Sequence, residues 1–310
     1  MMPLPSFLVV GAAKSGTTAL HRYLGQHPDV YLPAREEPNF FAFEGRPPDF
    51  RGPGNTPAAV NATSLTTPAA YGQLYENASP GQRAGDVSPV YLYWPTAAAN
   101  IHRHLPDARI CVILRHPVDR AFSAFMHARR EGKEPLRDFE AGLAAEPDRI
   151  ARHWGFLWRY ADMGRYWGQL RRYYDLFPRF QIKVVLYDDL VKDPLALLAE
   201  LFDFIGVDPG FAPDLRVRHN VSGVPRSRLA YRMLGSRGAL APLARRAAPV
   251  VGERRLRDWQ ARLRNRMLSR QTLAPDVRAR LTVDFREDLE RLGELIDRDL
   301  GHWLRVSPAA

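Results

Sequence analysis

One stretch near the start of this 310-residue chain constrains its fold more than any other: residues 7–18, FLVVGAAKSGTT. An apolar run closing at Gly11 predicts a buried strand. The turn behind it holds Lys14, Ser15 and a second glycine, Gly16, before the hydroxyl residues Thr17 and Thr18. Leu20, Tyr23 and Leu24 then fall on one face of a helix opening at Thr17. A strand, a small-residue loop and a helix N-terminus in succession make an anion cradle. Backbone N–H groups point into the turn, the macrodipole is positive there, and Lys14 adds a full charge. In the ordinary nucleoside-triphosphate loop, G-x-x-x-x-G-K-S/T, the lysine follows the second glycine. Here Gly11 and Gly16 are five apart and Lys14 lies inside the loop. Its side chain projects from the turn itself, which argues against a standard ATP or GTP loop but keeps a ligand bearing phosphate or sulfate.

A second stretch repeats that logic. Residues 109–114 read as another buried strand, after which Arg115 emerges where loops meet, and Pro117 suits the first turn of a helix. Ser123 lies eight residues beyond Arg115, about two helical turns along. An arginine at a strand end and a serine on the next helix can converge on one phosphate, through charge-assisted bonds of roughly 1.5–3 kcal/mol each. Two such elements imply a ligand with anionic groups at two ends. A surface pairing with Asp119 suits Arg120 better than Arg115.

The rest of the chain fits one α/β domain over residues 1–310. Strand 181–187 joins 7–11 and 109–114, and helical patterns run over 17–26, 95–105, 117–131, 160–177 and 194–205. This alternation predicts a mostly parallel central sheet flanked by helices. Residues 45–70, rich in Pro, Gly, Asn and Thr, read as a surface loop insertion. Residues 226–266 are basic and broken by Gly and Pro, and read as a rim or lid. Residues 274–304 predict one long helix with Leu281, Phe285, Leu289, Leu292 and Leu295 on its buried face.

At 45% hydrophobic residues the chain can bury a continuous core. The single cysteine, Cys111, sits in an apolar run and reads as a small buried hydrophobe, so no intrachain disulfide forms. With no basic leader and no apolar run of spanning length, a cytoplasmic location is expected. The net charge is +10, and only four of the 44 cations are lysines. Arginine suits bidentate recognition of phosphate, sulfate and carboxylate, although compositional bias explains the excess equally well. The nine histidines show no metal-ligand spacing, so no metal is expected.

The residues carry a resemblance to sulfotransferases that use 3′-phosphoadenosine 5′-phosphosulfate (PAPS), with their P-loop-like fold. In that family a K-S/T-G-T-S/T loop holds the 5′-phosphosulfate, matching Lys14-Ser-Gly-Thr-Thr18. An R-x-P-x-x-R-x-x-S element holds the 3′-phosphate, matching Arg115 to Ser123. The chain is similar to the heparan-sulfate-type branch and its bacterial relatives, whose K-E-x-x-F-F is represented by Glu36-Glu37-Pro38-Asn39-Phe40-Phe41. Their E-x-S-P-x-Y box is represented by Asp86-Val-Ser-Pro-Val-Tyr91. The stretch 220–228 resembles the segment that closes over the nucleotide in bacterial members, with Arg226 and Arg228 as candidates.

The resemblance implies Glu37 as general base toward an acceptor hydroxyl or amine and Lys14 against the bridging oxygen. Ser15, Gly16, Thr17 and Thr18 would bind the 5′-phosphate, and Arg115 and Ser123 the 3′-phosphate. The nucleotide product would be 3′-phosphoadenosine 5′-phosphate (PAP), with no metal required. Arg35 and Glu36 stand where the family places lysine before the base, and Asp86 and Val87 replace a Glu-Lys pair. By resemblance those positions face the acceptor, so the departures count against a glycosaminoglycan. Carbohydrate, glycolipid and small-molecule acceptors stay open, and neither a specific nucleic-acid partner nor an oligomeric state is indicated. Two rivals remain at this point. In a kinase, Asp188 or Asp189 after strand 181–187 would bind magnesium. The other rival is a non-enzymatic binder of anionic polymers.

Overall fold

The computed structural model describes residues 4–53, 56–215, 224–225, 268–269 and 271–305. Five parallel strands form the sheet: β1 (Phe7–Gly11), β2 (Val30–Tyr31), β3 (Arg83–Val87), β4 (Arg109–Leu114) and β5 (Ile182–Leu186). Their order is β2-β3-β1-β4-β5, which puts β1 and β4, with their two anion-type loops, side by side. Both faces of these strands are buried. Leu8, Val10, Ile110 and Val112 point into one apolar cluster, while Phe7, Val9, Cys111 and Ile113 point into another. That two-sided burial is why the strands read as unbroken apolar runs instead of alternating ones. Cys111 is 1% exposed, and burial pushes its thiol up to about 12.

Several helices match their predicted spans closely, among them Thr17–Leu24, Ala97–His104, Pro117–Arg130 and Pro194–Ile205. Two expectations need correction. The helix expected over 160–177 runs only from Tyr166 to Tyr174, after a 3₁₀ turn at Asp162–Gly164. Its start is set from outside, because Asp288 Oδ2 accepts the Tyr166 N–H at 2.8 Å. The single helix expected over 274–304 is three: Pro275–Asp284, Arg286–Ile296 and Gly301–Leu304. Asp297 adopts a left-handed φ of 52° and the Arg298 N–H closes on the Gly293 carbonyl, so the chain turns back and seats Trp303 at 2% exposure.

Strand β3 was not anticipated, since Arg-Ala-Gly-Asp-Val has little β character. It forms because Gly85 lets the Phe7 ring lie against it: a Cβ there would sit 2.1 Å from Phe7 Cζ. The insertion at 45–70 carries a helix, Thr56–Thr63, and part of another, Pro68–Gly72. Among the described residues, no helix is long and apolar enough to cross a membrane.

Candidate active site

The loop after β1 is built around close approach. At Gly11 a Cβ would stand 2.6 Å from Leu92 Cβ, so the strand ends against Leu92 at a distance that only glycine tolerates. Gly16 has a φ of 103° with Tyr187 packed over it, and Lys14 itself is held at a φ of 70°. The first two residues of Thr17–Leu24, whose N–H groups have no helical carbonyl upstream, line the cavity with Lys14. Burial, then Arg130, lowers Lys14 to about 8, with Glu37 pulling the other way.

The second element meets the first directly. Arg115 donates from Nη1 to the Lys14 carbonyl at 3.3 Å, and its guanidinium lies 4.7 Å over the Tyr187 ring. The next residue, His116, accepts the Val118 N–H on Nδ1 and bonds the Trp303 carbonyl through Nε2 at 2.9 Å. The start of helix Pro117–Arg130 is thereby fixed at both ring nitrogens. Arg120, Ser123, Ala124, His127 and Arg130 then share one face of that helix, toward the cavity. Arg120 does not pair with Asp119 as expected from sequence. Asp119 binds Arg278, and Arg120 is buried, donating to the Tyr160 carbonyl while its Nε has no hydrogen-bond partner. Arg130 donates to His127 Nδ1 at 2.9 Å, so the ring proton sits on Nε2. Burial and the charges of Lys14 and Arg130 hold that imidazole neutral, with its pKa lowered to about 2.

Glu37 approaches from the opposite side. It and Asn39 bracket Pro38 with left-handed φ values of 52° and 57°. Phe40 and Phe41, each 1% exposed, anchor the segment, with Phe40 stacked 4.6 Å from Tyr71. The Asn39 N–H donates to Ser88 Oγ, which donates to Asp86 at 2.7 Å. Glu37 is exposed as a residue, yet protein atoms crowd its carboxyl. Burial first, then Glu36, raises its pKa against the pull of Lys14. Lys14 and Glu37 thus face each other as a mutually sensed pair.

Asp86 and Val87 require a correction. Asp86 is fully buried, accepting hydroxyl donors from Tyr71 and Tyr91 at 2.8 Å each besides Ser88. Val87, 6% exposed, packs in the apolar cluster on the other face of the sheet. Neither residue faces an acceptor. Asp86 supports the turn that carries Glu37; burial raises its pKa, and the three hydroxyls of Ser88, Tyr71 and Tyr91 offset that only in part.

One cavity of about 330 Å³ brings together Lys14, Gly16, Thr17, Thr18, Glu37, Arg115 and Ser123. Ser15 is not among them: its side chain is fully buried behind the loop. Arg226, Arg228 and the 226–266 rim lie outside the described residues. Sequence reasoning missed Arg120, His127 and Arg130, although their spacing of three, four and seven residues from Ser123 would have found them. It also missed Phe156, Leu157 and Met163, which no local pattern ties to the loops. Asp188 and Asp189 do not line this cavity. Asp188 accepts the Trp303 indole N–H at 2.6 Å, and Asp189 binds Arg298 at 2.8 Å.

Fold and site together define an α/β protein in which a loop lysine, the threonines of a helix start, an arginine and a carboxylate line one cavity. A sequence profile described as the sulfotransferase family matches residues 5–212, and the chain belongs to that family. It is 34% identical to a crystallised sulfotransferase from Alicyclobacillus acidocaldarius, with a TM-score of 0.76 covering 98% of this chain and 100% of that one. It is 29% identical over 209 residues to human heparan sulfate glucosamine 3-O-sulfotransferase 6, covering 66% of this chain and 52% of that protein. Over 155 residues it is 26% identical to the membrane-associated sulfotransferase kil1 of Dictyostelium discoideum, covering 48% of this chain and 30% of that protein. The chain therefore spans about half or less of the length of these curated relatives.

Proposed function

We propose that this chain transfers a sulfonate group from PAPS to a hydroxyl or amine of an acceptor, with Glu37 as general base. The observation that carries the reading is the joining of two anion elements in one cavity, with Arg115 bonded to the backbone of Lys14 and Glu37 opposite. The residues present fit such a donor. The helix N-terminus at Thr17 and Thr18 is suited to the 5′-phosphate, Arg115 and Ser123 to the 3′-phosphate, and the orphaned Nε of buried Arg120 supports an anion nearby. The bound donor supplies an activated sulfonate on a good leaving group.

Glu37 takes the acceptor proton as the nucleophilic oxygen or nitrogen bonds to sulfur. Its raised pKa brings it nearer the acidity of the proton it must accept at neutral pH. Lys14 neutralises the charge that grows on the departing phosphate oxygen, a role worth about 10²–10³ in rate. His127, neutral with its proton on Nε2, offers one more donor without adding repulsion to Lys14. The lone buried thiol of Cys111 supports a reducing, cytoplasmic setting for the reaction. Carbohydrates, glycolipids and small molecules are the acceptor range taken from the resemblance. The test is calorimetry with PAP and AMP, followed by transfer of radiolabelled sulfonate. Strong preference for PAP, erased by Arg115→Ala, is expected; equal affinity for the two nucleotides would overturn the reading.

A further inference from the structure

The same cavity is also lined by residues of a different chemistry: Pro89, Val90, Phe156, Leu157 and Met163, none of which carries a charge or a side-chain hydrogen-bond donor. Pro89 and Val90 directly follow Ser88, whose hydroxyl holds the turn of Glu37. Phe156 and Leu157 are half-buried, two large hydrophobes kept partly open on a functional cavity.

They are held there firmly. The Arg51 N–H donates to the His153 carbonyl at 2.8 Å and the Gly155 N–H to the Arg51 carbonyl at 3.2 Å, so the 45–70 insertion grips one end of their segment. At the other end Trp158 is fully buried, its indole N–H on the Lys133 carbonyl. Phe50, from the same insertion, backs Phe156 edge-on at 5.9 Å. Just upstream, Arg152 and His153 open with Arg46 and Arg51 onto a separate cavity, and just downstream Arg159 donates to the Tyr93 hydroxyl at 2.9 Å. The cationic residues of the first cavity lie on the loop and the helix Pro117–Arg130, the donor's side in the reading above. The wall itself is thus uncharged, and an acceptor that reaches Glu37 within this cavity meets it. A wall of this composition favours apolar area and leaves any ionised group on the acceptor without a partner.

We propose that the acceptor is a neutral hydroxyl borne on an apolar body, which rests on Phe156, Leu157 and Val90 while its hydroxyl reaches Glu37. This rests on the sulfotransferase reading and narrows its acceptor range. In the step, the acceptor oxygen bonds to sulfur as the bond from sulfur to the nucleotide's phosphate oxygen breaks. The proton passes to Glu37, and the electron pair leaves with the phosphate.

The experiment offers the full chain PAPS with 1-octanol, 2-naphthol, glucose or a heparan sulfate chain, beside PAP calorimetry on each variant. Transfer to octanol or naphthol with kcat/KM at least tenfold above glucose and heparan sulfate is expected, and the better of the two tells an alkyl body from an aryl one. Phe156→Arg should cut that kcat/KM by about 10–200-fold, and Phe156→Leu should retain most of it, with PAP affinity unchanged in both. Preference for glucose or heparan sulfate, or no transfer to either apolar alcohol while PAP binds normally, overturns the inference alone. Failure to prefer PAP over AMP overturns the reading beneath it as well.

Discussion

At the scale of single residues, the proposed chemistry rests on Lys14 and Glu37, both held at left-handed backbone angles that side chains adopt at a cost. Glu37→Gln keeps the shape and removes the base. Turnover should fall by about 10²–10⁴ while PAP affinity, read by calorimetry, stays. The pH dependence follows from the signs of two shifts. Glu37 must be ionised, and its pKa is raised, so kcat/KM should climb with pH through a range above that of ordinary carboxylates. Lys14 must be protonated, and its pKa is lowered to about 8, so the same profile should fall above that point. A bound anion draws the Lys14 pKa back up. PAP binding should therefore take up a proton above pH 8 and weaken roughly tenfold per pH unit there. Affinity flat from pH 7 to 10 would remove Lys14 from the anion site.

At the scale of elements, buried polar contacts fix where segments begin and what they carry. Arg149 and Glu134 form a two-pronged pair at 2.8 Å per bond, 3% and 1% exposed, and the Tyr160 hydroxyl donates to the same carboxylate at 2.6 Å. Arg149→Ala leaves that carboxylate in the interior without its cation. It should cost about 3–5 kcal/mol in denaturant unfolding, whereas replacing both partners with leucine should cost much less. A loss under 1 kcal/mol for Arg149→Ala would mean that water reaches Glu134. The strands at residues 7–11 and 109–114 were legible because both their faces are buried, which leaves an apolar run no polar residue interrupts. Strand β3 was not legible, because its Asp86 is tolerable only with hydroxyls from Tyr71 and Tyr91, and its Gly85 only makes sense beneath Phe7. The break at Asp297 was hidden for a similar reason: the leucine stripe continues through it, and only the docking of Trp303 makes the turn favourable.

At the scale of the whole molecule, the C-terminal segment braces the site without lining it. Asp288 caps the helix that begins at Tyr166, the Trp303 carbonyl accepts from His116 Nε2, and the Trp303 indole donates to Asp188. Because hydrogen on a carbonyl is absent, His116 Nε2 is the donor in that contact. Trp303→Ala should cost about 3–5 kcal/mol and also weaken PAP binding several-fold, since His116 sits beside Arg115. A protein that loses stability but keeps PAP affinity would show the brace and the site to be independent.

The loop Lys14-Ser-Gly-Thr-Thr18, the Arg115–Ser123 spacing and the strands at 7–11 and 109–114 were determined by local sequence. Each depends on neighbours within a turn or a strand, so covalent order alone places them. Whether the two anion elements share one cavity was a tertiary matter, settled by the pairing of β1 with β4. The same holds for the burial of Asp86, the helix face of His127 and Arg130, and the apolar wall at Phe156. These bring together residues far apart in the chain, and their positions follow from packing that no local pattern encodes.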